Sequence, residues 1–435
     1  MKRYESWGRF PRAAHSVFAL NWHSQEIDFP RFTNKVLAFG LGRSYGDVCL
    51  NDGGTLLDTE GLRHLIAFDP AEGIVDCEAG ITLAELLEIF LPKGWFAPVL
   101  PGTRHVTVGG AIANDIHGKN HHRAGTFGCH VLGFELLRST GERLFCSPDQ
   151  NAELFRATIG GLGLTGLILW VRLRLKAVSG PWMQVEHLPF SSLKEFFEFS
   201  RDSVSRYEYT VAWVDCVSGG GKAGRGVFIR GNHAAGKQAQ GEWKSKPAFL
   251  RIPADAPGFL INRCSVRLLN EIYYQLQSAK RGPFTMPYGP FFFPLDSVED
   301  WNRLYGKAGF LQYQVVLPED GSARLKEFFE KISNSGLGSF LAVLKHFGPK
   351  RSPGLMSFPK AGVTLALDFP IRGRKVFDLL NALDEIAAAA GGSVYPGKDA
   401  RMSPGHFRKF FPQWQEFTKY FDPAFSSDFK KRMLL

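Results

Sequence analysis

Three glycine-bearing loops fall within about 130 residues near the start of the chain: "GLGRSYGD" (40–47), "PGTRHVTVGGAIANDIHG" (101–118) and "GLGLTG" (161–166). Glycine tolerates positive φ and lets a ligand approach the backbone, so each loop is either a tight turn or a cradle. "GLGLTG" fits G-x-G-x-x-G, but that fingerprint must open a helix, and here "LILWVRLRL" follows as a strand. A Rossmann reading therefore fails on context. "GLGRSYGD" does follow a strand, "KVLAFG", with its last glycine one place late for the fingerprint. Such a loop, with Arg43 and Ser44, can wrap a pyrophosphate as a nest of N–H donors, or it can be a plain hairpin turn. In the second loop Gly109, Gly110, Ala111 and Ala113 leave little bulk, which suits a flat ligand or a tightly packed turn. A fourth pattern, "GNHAAGKQ" (231–238), has Gln238 where a phosphate loop needs Ser or Thr, and no amphipathic helix follows it.

At 435 residues the chain exceeds one compact core, so two domains or one large composite unit are expected. Its 44% hydrophobic and 22% charged residues are those of a globular protein, and 38 phenylalanines imply a large aromatic core or an apolar cleft. A net charge of +10 favours anionic partners: nucleic acid, phosphorylated substrates or anionic lipid headgroups. The cations are interleaved with acids and form no tract, which argues against nucleic acid. Six dispersed cysteines without C-x-x-C read as thiols in a reducing compartment. No signal-peptide core and no run of about 18 apolar residues stands out, so a cytoplasmic protein is expected, at most peripheral at the inner membrane.

His105, His117, His121, His122 and His130, with Cys129, invite a metal reading. No H-E-x-x-H or finger spacing appears, so no metal is expected, and one or two of these histidines are read as donors to a phosphate or substrate oxygen.

Residues 1–180 read as short strands separated by glycine turns, with "TLAELLEIF" as a helix opened by a Thr82/Glu85 capping box. From 181 to 392 the pattern changes to helices and antiparallel strands. "SSLKEFFEFSRDSV", with a Ser192/Glu195 box, precedes "YTVAWVD" and "GRGVFIRG", and a similar set recurs around "LQYQVVLP", "SARLKEFFEKISNSG" and "GVTLALDFPI". This suggests an α+β chain with an antiparallel sheet flanked by helices. Residues 231–262 read as a mobile loop or lid, and 393–435 as a segment returning to the first domain.

In "LQYQVV", alternation puts Gln312 and Gln314 on one face, opposite Leu311, Tyr313 and Val315. In "VTLALDFP", Thr364, Ala366 and Asp368 share a face. By themselves, such polar faces are more often solvated than catalytic.

Taken together, "GLGRSYGD", "PGTRHVTVGGAIANDIHGKNHHRAGTFGCHV", "ATIGGLGLTGL", "GFLQYQ", "KHFGP", "LDFPI" and "YPGKDAR" resemble the decaprenylphosphoryl-β-D-ribose 2′-oxidase family of the vanillyl-alcohol-oxidase superfamily. The resemblance runs in order over nearly the whole chain and is weakest between about 217 and 290. It implies a PCMH-type, two-subdomain FAD-binding domain over 1–180, a substrate domain over 181–392, and the tail 393–435 returning to the FAD domain. It further implies oxidation of the 2′-hydroxyl of a polyprenylphosphoryl ribose, the first half of epimerisation to the arabinose for cell-wall arabinan. An NAD-dependent short-chain reductase completes that epimerisation, a quinone or oxygen takes the electrons, and the enzyme makes peripheral membrane contact. A superfamily relative oxidising a soluble polyol or aldonolactone is the alternative.

Carried over by motif, the flavin contacts are Ala38, Phe39, Gly40, Leu41, Gly42, Arg43, Ser44, Tyr45, Gly46, Asp47 and Val48 in the first loop. Gly102, Thr107, Val108, Gly109, Gly110, Asn114, Asp115, Ile116, His117, Ile168 and Tyr395 complete the set. The loop "GLGRSYG" has no histidine for a covalent link, so FAD is expected to bind non-covalently. Lys398 is the first candidate for contacting the reacting hydroxyl or flavin, because a cation there stabilises developing negative charge. Gln314, His117 and Tyr45 join it as catalytic candidates, and the substrate set is Gln312, Gln314, Lys345, Thr364, Ala366 and Lys398. The sequence does not single out which residue takes the proton.

Family members carry a cysteine two residues before the Asp of "DFPI", where covalent nitroaromatic inhibitors attach, and here that position is Ala366. Alanine offers no nucleophile. Incubated with such an inhibitor and substrate, the protein is expected to show no added mass on the peptide spanning 366; an adduct there would show that this peptide carries a nucleophile at the site after all.

Overall fold

The computed structural model describes residues 4–217, 224–239, 241, 248–319, 322–339 and 341–434. Short, mostly apolar runs form the strands of the first two sheets. β1 (Ser16–Ala19), β2 (Val36–Phe39) and β3 (Thr55–Asp58) make a small parallel sheet with β3 in the centre. β4 (Leu65–Asp69), β5 (Ile74–Glu78), β6 (Val131–Leu137), β7 (Arg143–Cys146) and β8 (Leu167–Arg174) make an antiparallel sheet in the order β4-β5-β8-β6-β7. Helix α1 (Leu83–Phe90) starts at the Thr82/Glu85 capping box and buries Leu83, Leu86, Leu87 and Phe90. The short helix α2 (Val108–Ala113) grows from the second glycine loop and buries Val108, Ala111 and Ile112 in the same apolar cluster.

The third sheet has eight strands. They are β9 (Trp182–Phe190), β10 (Tyr209–Val214), β11 (Gly226–His233), β12 (Phe284–Pro287), β13 (Phe310–Leu317), β14 (Ala342–Phe347), β15 (Gly362–Pro370) and β16 (Ser393–Val394). Their spatial order is β12-β9-β11-β10-β14-β15-β13-β16, antiparallel throughout. Helices α3 (Leu193–Ser203), α5 (Ser322–Ser335) and α6 (Arg374–Ala389) supply apolar residues to its core. There Leu311, Tyr313 and Val315 meet Leu325, Phe328 and Ile332 of α5 and Leu379, Leu380 and Leu383 of α6. Helix α4 (Arg263–Ser278) contacts β9 and β11. Among the described residues, no helix is long and apolar enough to cross a membrane.

Three local expectations change. Ser192 accepts from the Glu195 amide, but the Glu195 carboxylate takes the amide and hydroxyl of Ser191 (2.9 and 2.7 Å), so the reciprocal half of that box shifts by one residue. The segment 231–262 is not one loop: Gly231–His233 finish β11, and Leu250–Arg251 form a short parallel ladder with Val298–Glu299. Residues 240 and 242–247 of that segment lie outside the described residues. Helix α4 follows it, and the sequence pattern passed it over.

The tail first adds β16 to β13, and Phe425 then bridges Val36 of β2. Arg432 is ion-paired with Asp47 and Asp399, tying the tail to the first glycine loop. A Cβ on Gly46 would overlap the carbonyl of Asp399. Gly46→Ala is therefore expected to cost about 1–3 kcal/mol through overpacking, read as a lower guanidinium midpoint; a parental midpoint would show that loop and tail separate without penalty.

Candidate functional site

The loops and the large sheet enclose a cavity of about 1170 Å³. Small-molecule clefts usually run to ~300–1,000 Å³, so this one has room for more than a single small ligand. Its wall includes Ala38, Gly40, Leu41, Gly42, Arg43, Ser44, Tyr45, Val48, Gly102, Thr107, Gly109, Gly110, Asn114, Ile116, His117 and Ile168. Gln312, Gln314, Lys345, Ala366, Tyr395 and Lys398 complete that side.

Six expected contacts sit behind the wall. Phe39 packs with Leu37 and Leu56, and Val108 belongs to the core beneath α2. Asp47 is held by Arg432, and Gly46 abuts Asp399. Asp115 accepts from the Gly128 amide (2.9 Å) and from the hydroxyls of Ser352 and Ser357. Thr364 is fully buried beside Gln314.

The two candidate cradles differ. Among the described residues, none of the amides of Gly40 to Ser44 donates to a protein acceptor. The amides of Val108, Gly109 and Gly110 are already used by Ile81 O (2.8 Å), Ala79 O (2.8 Å) and the Thr107 hydroxyl (3.1 Å). The first loop is thus the donor nest, and the second provides bare surface. A Cβ on Gly40 would come within 2.6 Å of Thr107 Oγ1, so the two loops touch. A Cβ on Gly110 would meet only Thr107 Oγ1, and one on Gly102 would meet nothing within 4 Å, leaving both glycines open to the cavity. Arg43 stacks on Trp7 at 4.3 Å, and its buried Nε has no partner among the described residues. A run of free amides, an unpaired guanidinium nitrogen and an adjoining surface of small residues fit a dinucleotide with a flat ring.

The sheet supplies the polar end. β13 and β15 pair Gln312 with Asp368 and Gln314 with Ala366, while β14 sets Lys345 opposite Thr364. The Gln314 amide nitrogen lies 2.8 Å from His117 Nε2 and 3.1 Å from Thr364 Oγ1, and Lys345 Nζ lies 3.3 Å from His117 Nδ1. An ammonium only donates, so Nδ1 accepts and the ring proton sits on Nε2. With the proton on Nε2, the His117 contact suits the Gln314 amide oxygen in place of its nitrogen, the two ends of an amide being assigned from their partners. Burial, then Lys345, holds the His117 pKa well below its usual range, keeping the ring neutral.

Lys398 Nζ stands 3.7 Å from the centre of the Tyr45 ring. Asp368 Oδ1 accepts from Gln312 at 2.6 Å, and its buried Oδ2 has no partner among the described residues. Burial lowers the Lys398 pKa and raises that of Asp368, and each charge opposes the other's shift. Burial also brings Lys345 down to about 8 and, with Lys345 nearby, Lys119 to about 7. Lys119 donates to the carbonyls of Phe291 (2.7 Å) and Phe292 (3.0 Å). Sequence reading passed over Asp368 as a site residue, although its alternation with Thr364 and Ala366 was the available signal.

The remaining histidines have other surroundings. His121 packs on Phe347 at 4.3 Å, His122 and His130 bond the carbonyls of Tyr207 and Ala124 (3.0 Å each), and His105 lines the cavity 4.0 Å from Asp296. Among the described residues, no group of three or more His, Cys, Asp or Glu could hold a metal.

A family model described as an FAD binding domain matches residues 29–147. With the cavity's fit to a dinucleotide, this makes the protein an FAD-dependent oxidoreductase. The whole chain is 37% identical to decaprenylphosphoryl-β-D-ribose oxidase of Mycolicibacterium smegmatis and covers 98% of it. It is 32% identical over 81% of its length to an uncharacterised protein of Streptomyces coelicolor, covering all of that protein. Similarity to L-gulonolactone oxidase of Bos taurus is 30% over 48% of the chain and 47% of that enzyme. The chain belongs to the decaprenylphosphoryl-β-D-ribose oxidase family.

Burial holds His121 down to about 3, and His130, His187 and His233 to about 4. In the unfolded chain each takes up a proton near ~6.5. Between those values the unfolded state binds more protons, so this stability is complete above the unfolded pKa and is lost as pH falls. Urea unfolding free energy should therefore drop from pH 7 to 5, and His121→Phe should reduce the slope by about one proton. An unchanged slope would mean that His121 is protonated in the fold.

Proposed function

We propose that the protein oxidises the 2′-hydroxyl of a polyprenylphosphoryl-β-D-ribose to the 2′-ketone with FAD, the first half of epimerisation to the arabinose. Residues 1–180 and the returning tail hold the cofactor, and 181–392 hold the substrate. One observation supports this best. A single cavity joins a cationic end at Lys398 and Lys345 to an apolar arm lined by Val211, Trp213, Ile229, Leu269 and Leu276. A sugar phosphate suits the first part and a prenyl chain the second.

FAD, when bound, would supply the hydride acceptor for oxidation at C2′. The amides of Gly40–Ser44 and the Arg43 guanidinium hold its pyrophosphate. Gly102, Gly109, Gly110, Asn114, Ile168 and Tyr395 make room for the ring. No histidine lies in the first loop, so the cofactor is held non-covalently. Oxidation of the alcohol would also release the hydroxyl proton, which leaves to water. The Lys398 ammonium, fixed over Tyr45, stabilises the negative charge that develops on that oxygen. Gln314, braced by His117 and Thr364, orients the ribose together with Gln312, which donates to the buried Asp368 behind it, and Lys345 faces the phosphate. Ala366 leaves space at the centre of the strand pair. The electrons pass to a quinone or oxygen, and an NAD-dependent short-chain reductase returns the ketone to the epimeric alcohol. A polyprenyl substrate brings the enzyme to a membrane surface.

The purified protein should be yellow and release its flavin into the supernatant on acid precipitation. Under anaerobic conditions a short-chain prenylphosphoryl ribose should bleach it, and aldonolactones should not. Lys398→Met should retain FAD while slowing bleaching by roughly 10²–10³-fold. Bleaching by a lactone alone would assign the chain to the soluble-substrate oxidases, and a colourless protein after FAD reconstitution would overturn the flavin reading.

A further inference from the structure

The inner side of α4 is firmly seated. Val266 and Asn270 are buried, Asn270 donates to Asp215 at 3.0 Å, and Arg225 bridges Asp215 (3.1 Å) and Glu271 (2.7 Å). Its adjoining flank is apolar and bare. Leu268, Leu269, Ile272 and Leu276 are 62%, 54%, 47% and 61% exposed, and their spacing puts them on one side of the helix. Solvent-facing leucines at this density mark a contact surface. Phe259 and Leu260, just before the helix, and Phe249 and Leu250, at the ladder with Val298–Glu299, are exposed as well.

Two further observations say what covers this flank. Leu269, Ile272 and Leu276 also line the cavity, as do Arg251 and Val298, so the cavity opens along the same apolar side. The helix and its exit carry Arg263, Arg267, Lys280 and Arg281, all exposed, against the single carboxylate Glu271, which Arg225 already neutralises. A protein seated here would close the mouth. An anionic lipid surface satisfies both features, with side chains entering the headgroup boundary and cations meeting the headgroups.

We propose that the α4 flank docks this enzyme on an anionic bilayer, so that a prenyl chain passes from lipid into the cavity along Leu276, Ile272 and Leu269 without crossing water. This rests on the substrate class proposed above. The docking itself is read without turnover.

The test uses FAD-loaded protein, sedimented with phosphatidylcholine vesicles or with vesicles containing phosphatidylglycerol. The wild type should co-sediment with the anionic vesicles only. Arg267→Glu with Leu268→Glu, neither of which lines the cavity, should weaken that partitioning at least roughly tenfold. The same variant should bleach normally with a water-soluble short-chain substrate and slowly with a long-chain substrate carried in vesicles. Wild-type protein that stays in the supernatant, binding equal to that of neutral vesicles, or a variant that sediments like the wild type would each overturn the docking proposal. Failure of both substrates to bleach a protein that still sediments would instead overturn the substrate reading and leave docking intact.

Discussion

Five consecutive backbone amides, Gly40 to Ser44, have no protein acceptor among the described residues, and the rest of the molecule is arranged to keep them so. A backbone donor left unmet away from water costs about 1–3 kcal/mol, so a free chain would rearrange to satisfy it. The loop is prevented from doing so on three sides. Trp7 donates to Ser44 O (2.8 Å), Tyr45 donates to Gly397 O (3.2 Å), and Gly40 is pressed against Thr107. The N-terminal segment, the α2 loop and the first turn of the tail thus hold this donor array open. A ligand that fills it is bound by the native state only, so ligand affinity and fold stability are linked quantities.

Register does for the polar end of the cavity what this bracing does for the nest. A slip of β13 by one residue against β15 would turn Gln312 and Gln314 into the helical core and bring Leu311, Tyr313 and Val315 to the cavity. The apolar residues packed on α5 and α6 therefore fix the polar row as firmly as any contact within the site. Farther along the same sheet, Val343, Trp213, Val211 and Ile229 continue the cavity wall, so one surface grades from charged to apolar.

Much of this was legible in the sequence. Period-two alternation in "LQYQVV" and "VTLALDFP" is local and unambiguous, so the faces of Gln312, Gln314, Thr364 and Ala366 could be read directly. The roles of the two glycine loops could not be separated that way. Small residues reveal room for a ligand, but the amides of Val108 and Gly109 are taken by Ile81 and Ala79, partners about 30 residues earlier that only the fold brings near. Asp47 and Asp115 likewise look like ligand contacts in their motifs, yet partners hundreds of residues away, Arg432 and Ser352, claim them. Helix α4 escaped notice because its apolar residues occupy both the buried and the exposed sides, which blurs the helical period.

The path of the last residues has a temporal meaning. β2 leads directly into the first glycine loop, yet its bridge to Phe425 and the Arg432 clasp on Asp47 come from the far end of the chain. During synthesis Val36 and Asp47 emerge long before Phe425 and Arg432, so these two contacts are among the last that the first glycine loop can make.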